Sequence, residues 1–426
     1  MILSGWWMLL LAVPVLLLGE LAVGRVPGLA KLYLPAPIVG GLAVAVAVLA
    51  INLARPGALS VRADTAARAW TWLITPEVTW LRSPPKVTLF APLMVAFFTC
   101  VGLNASWAVA RAGSWRLLVL LAVATVLAVV QNVAGVAMAR AMHVSPFVGL
   151  LCGSVTLTGG PGTAMGFADS FERAGFAQAR AVGLAAAMFG IVTASLVGGP
   201  LGGGLIRAFR LRATGGGSAA VAARPVRPAS PFLAQLRAVA ADPWPVVAHL
   251  LLLAACIKVG AWVSYGLASR LTFPTYIGAL VVGIVVRNAS DLARRPFVRT
   301  ATVSLIAAVL LAVYLTVAVM TLDLMQLRSL AGPMLVILLV QVAIMLVFAA
   351  AVTFPTMAMD YEAAVASAGH VGFGLGITPN AVANMEALVE PFGPAPRAML
   401  VVTLVGGFLI DVTNSATIVF FLNRLR

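Results

Sequence analysis

Two short stretches rich in glycine, threonine and asparagine stand out in an otherwise apolar sequence. The first reads Gly153-Ser154-Val155-Thr156-Leu157-Thr158-Gly159-Gly160-Pro161-Gly162-Thr163. The second reads Gly369-His370-Val371-Gly372-Phe373-Gly374-Leu375-Gly376-Ile377-Thr378-Pro379-Asn380 and is followed by Asn384. Glycine costs about 1 kcal/mol against alanine in a helix interior and proline about 3, so both stretches are expected to interrupt helices. An interrupted helix leaves N–H groups unpaired at one end and carbonyls at the other. The N–H end attracts an anion, through the dipole and by direct hydrogen bonds. The carbonyls, with the hydroxyls of Thr156, Thr158, Thr163 and Thr378 and the amides of Asn380 and Asn384, can replace the water shell of a cation. Small residues also let helices pack closely, which is the plainer explanation for either stretch alone; a repeated pair favours binding.

A third element is Phe408-Leu409-Ile410-Asp411-Val412-Thr413-Asn414-Ser415. A carboxylate within an apolar span costs roughly 2.5–3.5 kcal/mol on insertion scales and is a functional candidate by default. Asp411 and Asn414, three residues apart, share a helix face, as a sodium or proton site requires. Gln131 and Asn132, in an earlier apolar run, can line a cavity or bridge helices. None of this is bond-breaking chemistry. No nucleophile converges with a base, and the cysteines (100, 152, 256) and histidines (143, 249, 370) show no disulfide or zinc spacing. An enzyme is therefore not expected.

The elements that position these residues must lie in a membrane. Of 426 residues, 62% are hydrophobic and 10% charged, against roughly 25% charged in soluble domains. Mean hydropathy is +1.05. The net charge of +15 is not gathered on one face as nucleic-acid binding needs; it sits between apolar runs. A bilayer core of roughly 30 Å takes about 20 apolar residues per helix. Ten runs qualify as spans: 6–23, 34–53, 87–103, 115–138, 181–206, 245–265, 273–286, 301–320, 332–354 and 398–422. The first has no basic residues before it and contains Glu20, so it reads as a retained span, not a cleaved signal. Two further stretches, about 147–171 and 361–389, are too polar for plain spans and too apolar for solvent loops.

The linker 207–244 carries six arginines (207, 210, 212, 224, 227, 237) against one acid, Asp242, so it is expected to be cytoplasmic. Five spans precede it, which puts both termini outside. The loop 287–299, with four arginines, falls on the same side and agrees. The segment 54–86 lies outside with five basic residues and runs against the rule; Trp70, Trp72 and Trp80 suit it to the interface.

The halves match each other in landmarks. Leu34-Pro35-Ala36-Pro37-Ile38 pairs with Phe273-Pro274-Thr275-Tyr276-Ile277, Gln131 with Gln341, and Cys152-Gly153 with Ala368-Gly369; Arg180-Ala181 and Arg397-Ala398 open the spans that follow. Five spans per unit, an odd number, make the second unit inverted. The expected fold is thus an all-α multi-pass membrane protein of about ten transmembrane helices in two inverted five-helix repeats. They occupy 1–206 and 245–426, each with a hairpin (about 147–171 and 361–389), joined by the linker 207–244. Non-helical backbone at membrane depth survives only when buried or lining a cavity, so the hairpins are expected to be re-entrant and to enter from opposite faces. This plan is that of secondary transporters, with the binding site at the repeat interface. A passive channel is the alternative, since Gly-Phe-Gly-Leu-Gly superficially matches carbonyl-lined filters; filters, however, are built by symmetry around a pore.

These residues resemble the bacterial sodium/glutamate symporter family. The resemblance rests on residues 34–41, 153–163, 369–385, Gly393-Pro394-Ala395-Pro396-Arg397-Ala398 and Phe408–Asn414, in order along nearly the whole chain. It implies sodium-coupled uptake of L-glutamate or a related acidic amino acid across the bacterial inner membrane, by elevator-like alternating access, in a homodimer. Substrate carboxylates would lie on Thr156, Thr158, Gly159, Gly160, Gly162, Thr163, Gly374, Gly376, Thr378, Asn380 and Gln131. Sodium, the coupling ion, would lie on Asp411, Asn414 and Asn384. The chain departs from the family at Pro161, where a histidine is usual, and in the more polar Thr413-Asn414-Ser415. Another small carboxylate, coupled to sodium or protons, is the alternative cargo.

Overall fold

The computed structural model describes the chain except for residues 1, 27–28, 30–34, 56–59, 63, 66, 82–86, 108–114, 214–231, 233, 235–236, 238–242, 269–275, 294–295, 323–328 and 426. Most of the 207–244 linker, and Phe273-Pro274, lie outside the described residues. The remainder is helical, apart from two short ladders: Ile2–Ser4 beside Ser60–Arg62, and Asp64–Thr65 beside Val87–Thr88. The first half runs α1 (Gly5–Arg25), α2 (Ala36–Ala54), α3 (Ala91–Asn104), α4 (Trp115–Ala141), α5 (Pro146–Leu151), α6 (Gly160–Arg173) and α7 (Ala179–Ala208). The second half runs α8 (Pro243–Ala268), α9 (Tyr276–Leu292), α10 (Thr300–Met320), α11 (Ala331–Phe348), α12 (Tyr361–Leu375), α13 (Thr378–Phe392), α14 (Pro396–Leu404) and α15 (Ile410–Leu425). Single π-helical turns follow α11 (Ala349–Thr353) and join α14 to α15 (Val405–Leu409).

Among the described residues, eight helices are long and apolar enough to cross a membrane: α1, α2, α4, α7, α8, α10, α11 with its extension to Thr356, and the continuous α14–α15. The third and seventh expected spans appear as shorter helices. The 14 residues of α3 reach about 21 Å, short of a hydrocarbon core of about 30 Å. Its start is set by Pro92 in the first turn. The 17 residues of α9 end in Arg287 and Asp291, which pair with each other at 3.2 Å.

The second glycine-rich stretch differs from expectation. α12 runs unbroken through Gly369, Gly372 and Gly374, and the chain breaks only at Gly376-Ile377. The glycines serve packing: a Cβ on Gly372 would lie 2.3 Å from the Cα of Ala381 in α13, so the arms of this hairpin touch backbone to backbone. The first stretch is unwound as expected, through residues 152–159, between the short α5 and α6.

Packing divides the chain into two compact units that do not follow its halves. One holds α1–α3 and α8–α10, the other α4–α7 and α11–α15. Each therefore draws on corresponding parts of both halves, and both hairpins belong to the second unit.

In the first unit α3 lies against α9 and α10, with Phe98 stacked on Tyr276 at 3.9 Å between ring centroids. The ends of α3 and α9 share one polar cluster. Ser106 donates to Asp291, and Asn288 Nδ2 donates to the Ala105 carbonyl at 3.2 Å. Lys258, a cation inside the α8 span, is fully engaged here: its ammonium donates to the carbonyls of Trp72 (2.8 Å) and Thr75 (3.0 Å), pairs with Glu77 (2.7 Å) and lies over the Trp72 ring. It thereby fastens the aromatic segment 68–81 to α8. The Lys258 hydrogen bond holds the Glu77 carboxyl below its usual 4.5. The pair is thus present above that value and lost as pH falls through the lowered one. Lys258→Met removes every one of these bonds and is expected to cost about 1–3 kcal/mol. Thermal unfolding of the detergent-purified protein measures it; an unchanged midpoint would contradict the anchoring role.

The second unit buries its core around α12–α14, with Phe354, Tyr361, Phe373 and Val402 at its centre. Ion pairs mark helix ends. Arg116, in the first turn of α4, meets Asp360 at 2.7 Å, and Asp360 caps α12 by accepting from the Ala363 N–H. Arg180, which opens α7, meets Asp169 (2.6 Å) and Glu172 (3.2 Å) of α6.

Candidate functional site

Within the second unit the two hairpin tips meet. Gly160 has φ +65°, a left-handed conformation that glycine adopts without strain. A Cβ there would lie 3.0 Å from Ile377 Cγ2 and 3.6 Å from the Gly376 carbonyl oxygen. The first residues of α6 and α13 are therefore neighbours. Among the described residues, the N–H groups of Gly162 and Thr378 have no acceptor, as befits the first turn of a helix. Gly159, Gly162, Ile377 and Thr378 are partly exposed and Pro379 is exposed, whereas the chain behind them is buried. Neither 152–163 nor 369–384 contains a lysine or arginine. An anion at this junction would thus be held by backbone N–H groups and two helix dipoles, with any further positive charge supplied by a bound cation.

Gln131, fully buried on α4, reaches both tips. Its Oε1 accepts from Thr158 Oγ1 at 2.7 Å, and its Nε2 donates to the Gly374 carbonyl at 2.8 Å. Gln341, on α11, matched to it in the sequence, donates to the backbone carbonyl of Gln131 at 2.6 Å. The matched landmarks therefore touch.

The other expected substrate residues are committed to the protein in a similar way. Thr156 donates to the Leu151 carbonyl (2.7 Å) and Thr378 to the Gly406 carbonyl (2.6 Å), the latter in the π-helical turn before α15. Asn380 accepts from the Ile377 N–H (3.2 Å) and donates to the Ile191 carbonyl (3.1 Å) and Ser195 Oγ (2.6 Å) of α7. Thr163 is buried in the first turn of α6, and Gly159, Gly160, Gly162 and Gly376 lie at the junction itself. The side chains shape the tips; the groups open to a ligand are main-chain ones.

The three expected cation residues fall in two places. Asp411 opens α15, partly exposed, and among the described residues its carboxylate has neither a hydrogen bond nor an ion pair. Asn414, one turn on and buried, donates to the Ser154 carbonyl of the first hairpin at 3.0 Å. Asn384 is elsewhere: its Nδ2 donates to the carbonyls of Ala194 (3.0 Å) in α7 and Ala368 (3.3 Å) in α12. Residue type and spacing alone give Ser154, Ser195 and Gly406 no site role, and Ser415 stands out only as part of the polar run Thr413-Asn414-Ser415. Ser195 carried a signal: Thr193-Ala194-Ser195 sits in the last span of the first half as Thr413-Asn414-Ser415 does in that of the second.

The second tip packs on α7 without slack. A Cβ on Gly190 would lie 2.1 Å from the Leu375 carbonyl oxygen, a backbone atom that no rotamer can move away. Gly190→Ala is expected to displace the tip at a cost of about 1–3 kcal/mol, enough for roughly a tenfold loss of transport. Gly199→Ala, whose Cβ would meet nothing within 4 Å, should match the wild type in the same uptake assay.

Comparison with known proteins gives a consistent result. The family model described as sodium/glutamate symporter matches residues 1–394. The sodium/glutamate symporter of Escherichia coli (strain K12) is 37% identical over 409 residues, covering 96% of this chain and 94% of the relative. That of Haemophilus influenzae is 33% identical over 415 residues, covering 97% and 96%. No solved structure matches the chain.

Proposed function

The chain belongs to the sodium/glutamate symporter family, and from that premise we propose that it couples sodium entry to uptake of L-glutamate or a related acidic amino acid. It is a transporter family, not an enzyme family. The observation that carries the reading is the junction of the two hairpin tips. It offers unpaired N–H groups, two helix N-termini and no cationic side chain, which suits carboxylates that need a co-bound cation. The substrate carboxylates would bind the N–H groups of Gly162 and Thr378. Gln131, Thr156, Thr158, Gly374, Thr378 and Asn380 would fix the tips through the bonds described above, with Thr163 packed in the first turn of α6. Sodium would lie at Asp411 and Asn414. Each charge lowers the cost of bringing the other into the membrane, which is the physical content of the coupling.

In this reading ten spans form two inverted repeats, with α3 and α9 as the third and seventh. The termini lie outside, the 207–244 linker faces the cytoplasm, and the protein is a homodimer in the bacterial inner membrane. The joined ends of α3 and α9 support this topology, since both helices would then finish on the cytoplasmic side. Alternating access is elevator-like, the hairpin-bearing unit travelling as one body. Radiolabelled glutamate uptake into proteoliposomes, with and without an inward sodium gradient, tests the proposal. Equal uptake in both would overturn the coupling.

A further inference from the structure

Behind the first hairpin lies a set of buried polar atoms that no group among the described residues satisfies. Ser154 sits in the unwound run between α5 and α6. Its N–H donates to Asn132 Oδ1 at 2.9 Å, and its carbonyl accepts from Asn414 Nδ2 at 3.0 Å. These two bonds fix both amide orientations, because an N–H must meet an oxygen and a carbonyl must meet an N–H. They leave Asn132 Nδ2, Asn414 Oδ1 and Ser154 Oγ over, and the next residue of α15 adds Ser415 Oγ. The three oxygens are sealed from solvent and, among the described residues, have no hydrogen-bond partner; Asn414, Ser154 and Ser415 are 1%, 0% and 3% exposed. Buried polar atoms in native proteins are almost always paired, and exceptions point to a bound ion or water.

The second hairpin shows what a filled version looks like. There the amide hydrogens of Asn380 and Asn384 occupy the oxygens of Ile191, Ala194, Ser195 and Ala368. At the first hairpin Ser154 Oγ, Asn414 Oδ1 and Ser415 Oγ have no such partner among the described residues. Hydroxyl and amide oxygens are hard, neutral ligands, suited to a hard cation of low charge. Asp411, three and four residues before Asn414 and Ser415, shares their helix face and supplies the compensating charge.

We propose that the seam between the first hairpin and α15 holds the coupling cation, with Ser154 Oγ, Asn414 Oδ1 and Ser415 Oγ as ligands. This assigns two ion ligands, Ser154 and Ser415, and leaves Asn384 as a helix bridge. An ion so placed fastens the first tip to the last helix, and so sets the tip on which the anion then binds. The inference rests on the sodium-coupled reading above.

The test is sodium titration of the purified full-length protein without glutamate, read by thermal unfolding, with potassium as the control salt. Ser154→Ala and Ser415→Ala should each raise the half-maximal sodium concentration by about tenfold, while Ser415→Thr, which keeps the hydroxyl, restores it. At saturating sodium, the glutamate KM of the alanine variants should stay within about twofold of wild type. A wild-type sodium midpoint in both alanine variants would mean that water fills the seam and would overturn the assignment. So would a KM that rises in step with the sodium midpoint, the mark of general damage. Should either alanine variant fail to fold, Ser154→Cys, which keeps the volume with a poor sodium ligand, decides by the same midpoint. No sodium response in the wild type would instead overturn the sodium-coupled reading itself.

Discussion

In Asp411→Asn, the sodium concentration that half-saturates glutamate uptake is expected to rise roughly 30- to 150-fold. The carboxylate lies on a membrane span without a partner among the described residues. A cation about 4 Å from it gains about 4 kcal/mol at an effective dielectric of 20. Desolvation of the ion removes part of that gain, which leaves a net loss of about 2–3 kcal/mol on neutralisation. Stability should move the other way. An unpaired carboxylate in a span costs roughly 2.5–3.5 kcal/mol, so the sodium-free variant should unfold at a higher temperature than the sodium-free wild type. Sodium should then add little to the variant and much to the wild type. This crossing of signs separates an ion site from a structural role, for which both measurements would fall together. Unchanged sodium dependence of uptake in Asp411→Asn or Asp411→Ala would remove the residue from the site.

The chemistry-bearing residues were legible because a membrane sequence makes polarity rare. Asp411, Gln131 and the two glycine-rich stretches announce themselves by composition alone, and Gln131 and Gln341, matched as landmarks of the two halves, are in contact. What could not be read was how each polar group spends its hydrogen bonds. Thr378 looks like a substrate hydroxyl by its place beside a helix start, yet it donates to Gly406. That carbonyl is available because a π-helical turn spans 405–409, and no spacing rule announces such a turn. The run Gly369–Gly374 looks like a helix breaker by propensity, which is a weak term beside packing; here the missing Cβ atoms let α12 and α13 close on each other. Lys258 had no readable partner because Glu77 is 181 residues away along the chain and meets it only in three dimensions. The grouping of helices into units mixing both halves is likewise a property of packing, to which order along the chain is blind.

Gln131→Leu is the change expected to disturb the site most widely, since one side chain holds both tips. Leucine has similar volume but leaves the Thr158 hydroxyl and the Gly374 carbonyl without partners in a dry interior. Each orphan costs about 1–3 kcal/mol, so the two together cost about 2–6, equivalent to roughly 30- to 20,000-fold in the population of the joined tips. Gln131→Glu is a sharper probe. It keeps an acceptor for Thr158 but sets an oxygen against the Gly374 carbonyl, and it buries a charge with no counterion; it should be at least as damaging as leucine. Gln131→Asn, one methylene shorter, can reach one tip but not both and should fall between. The kinetic pattern distinguishes a clasp from a substrate contact. If Gln131 joins the tips, its loss raises the glutamate KM and the half-saturating sodium concentration together, because both ligands need the joined state. The preference for glutamate over aspartate then stays as in the wild type, since no substrate atom has lost a partner. A shifted glutamate-to-aspartate preference with an intact sodium requirement would return Gln131 to the substrate, since discrimination between ligands follows lost contacts and not lost preorganisation.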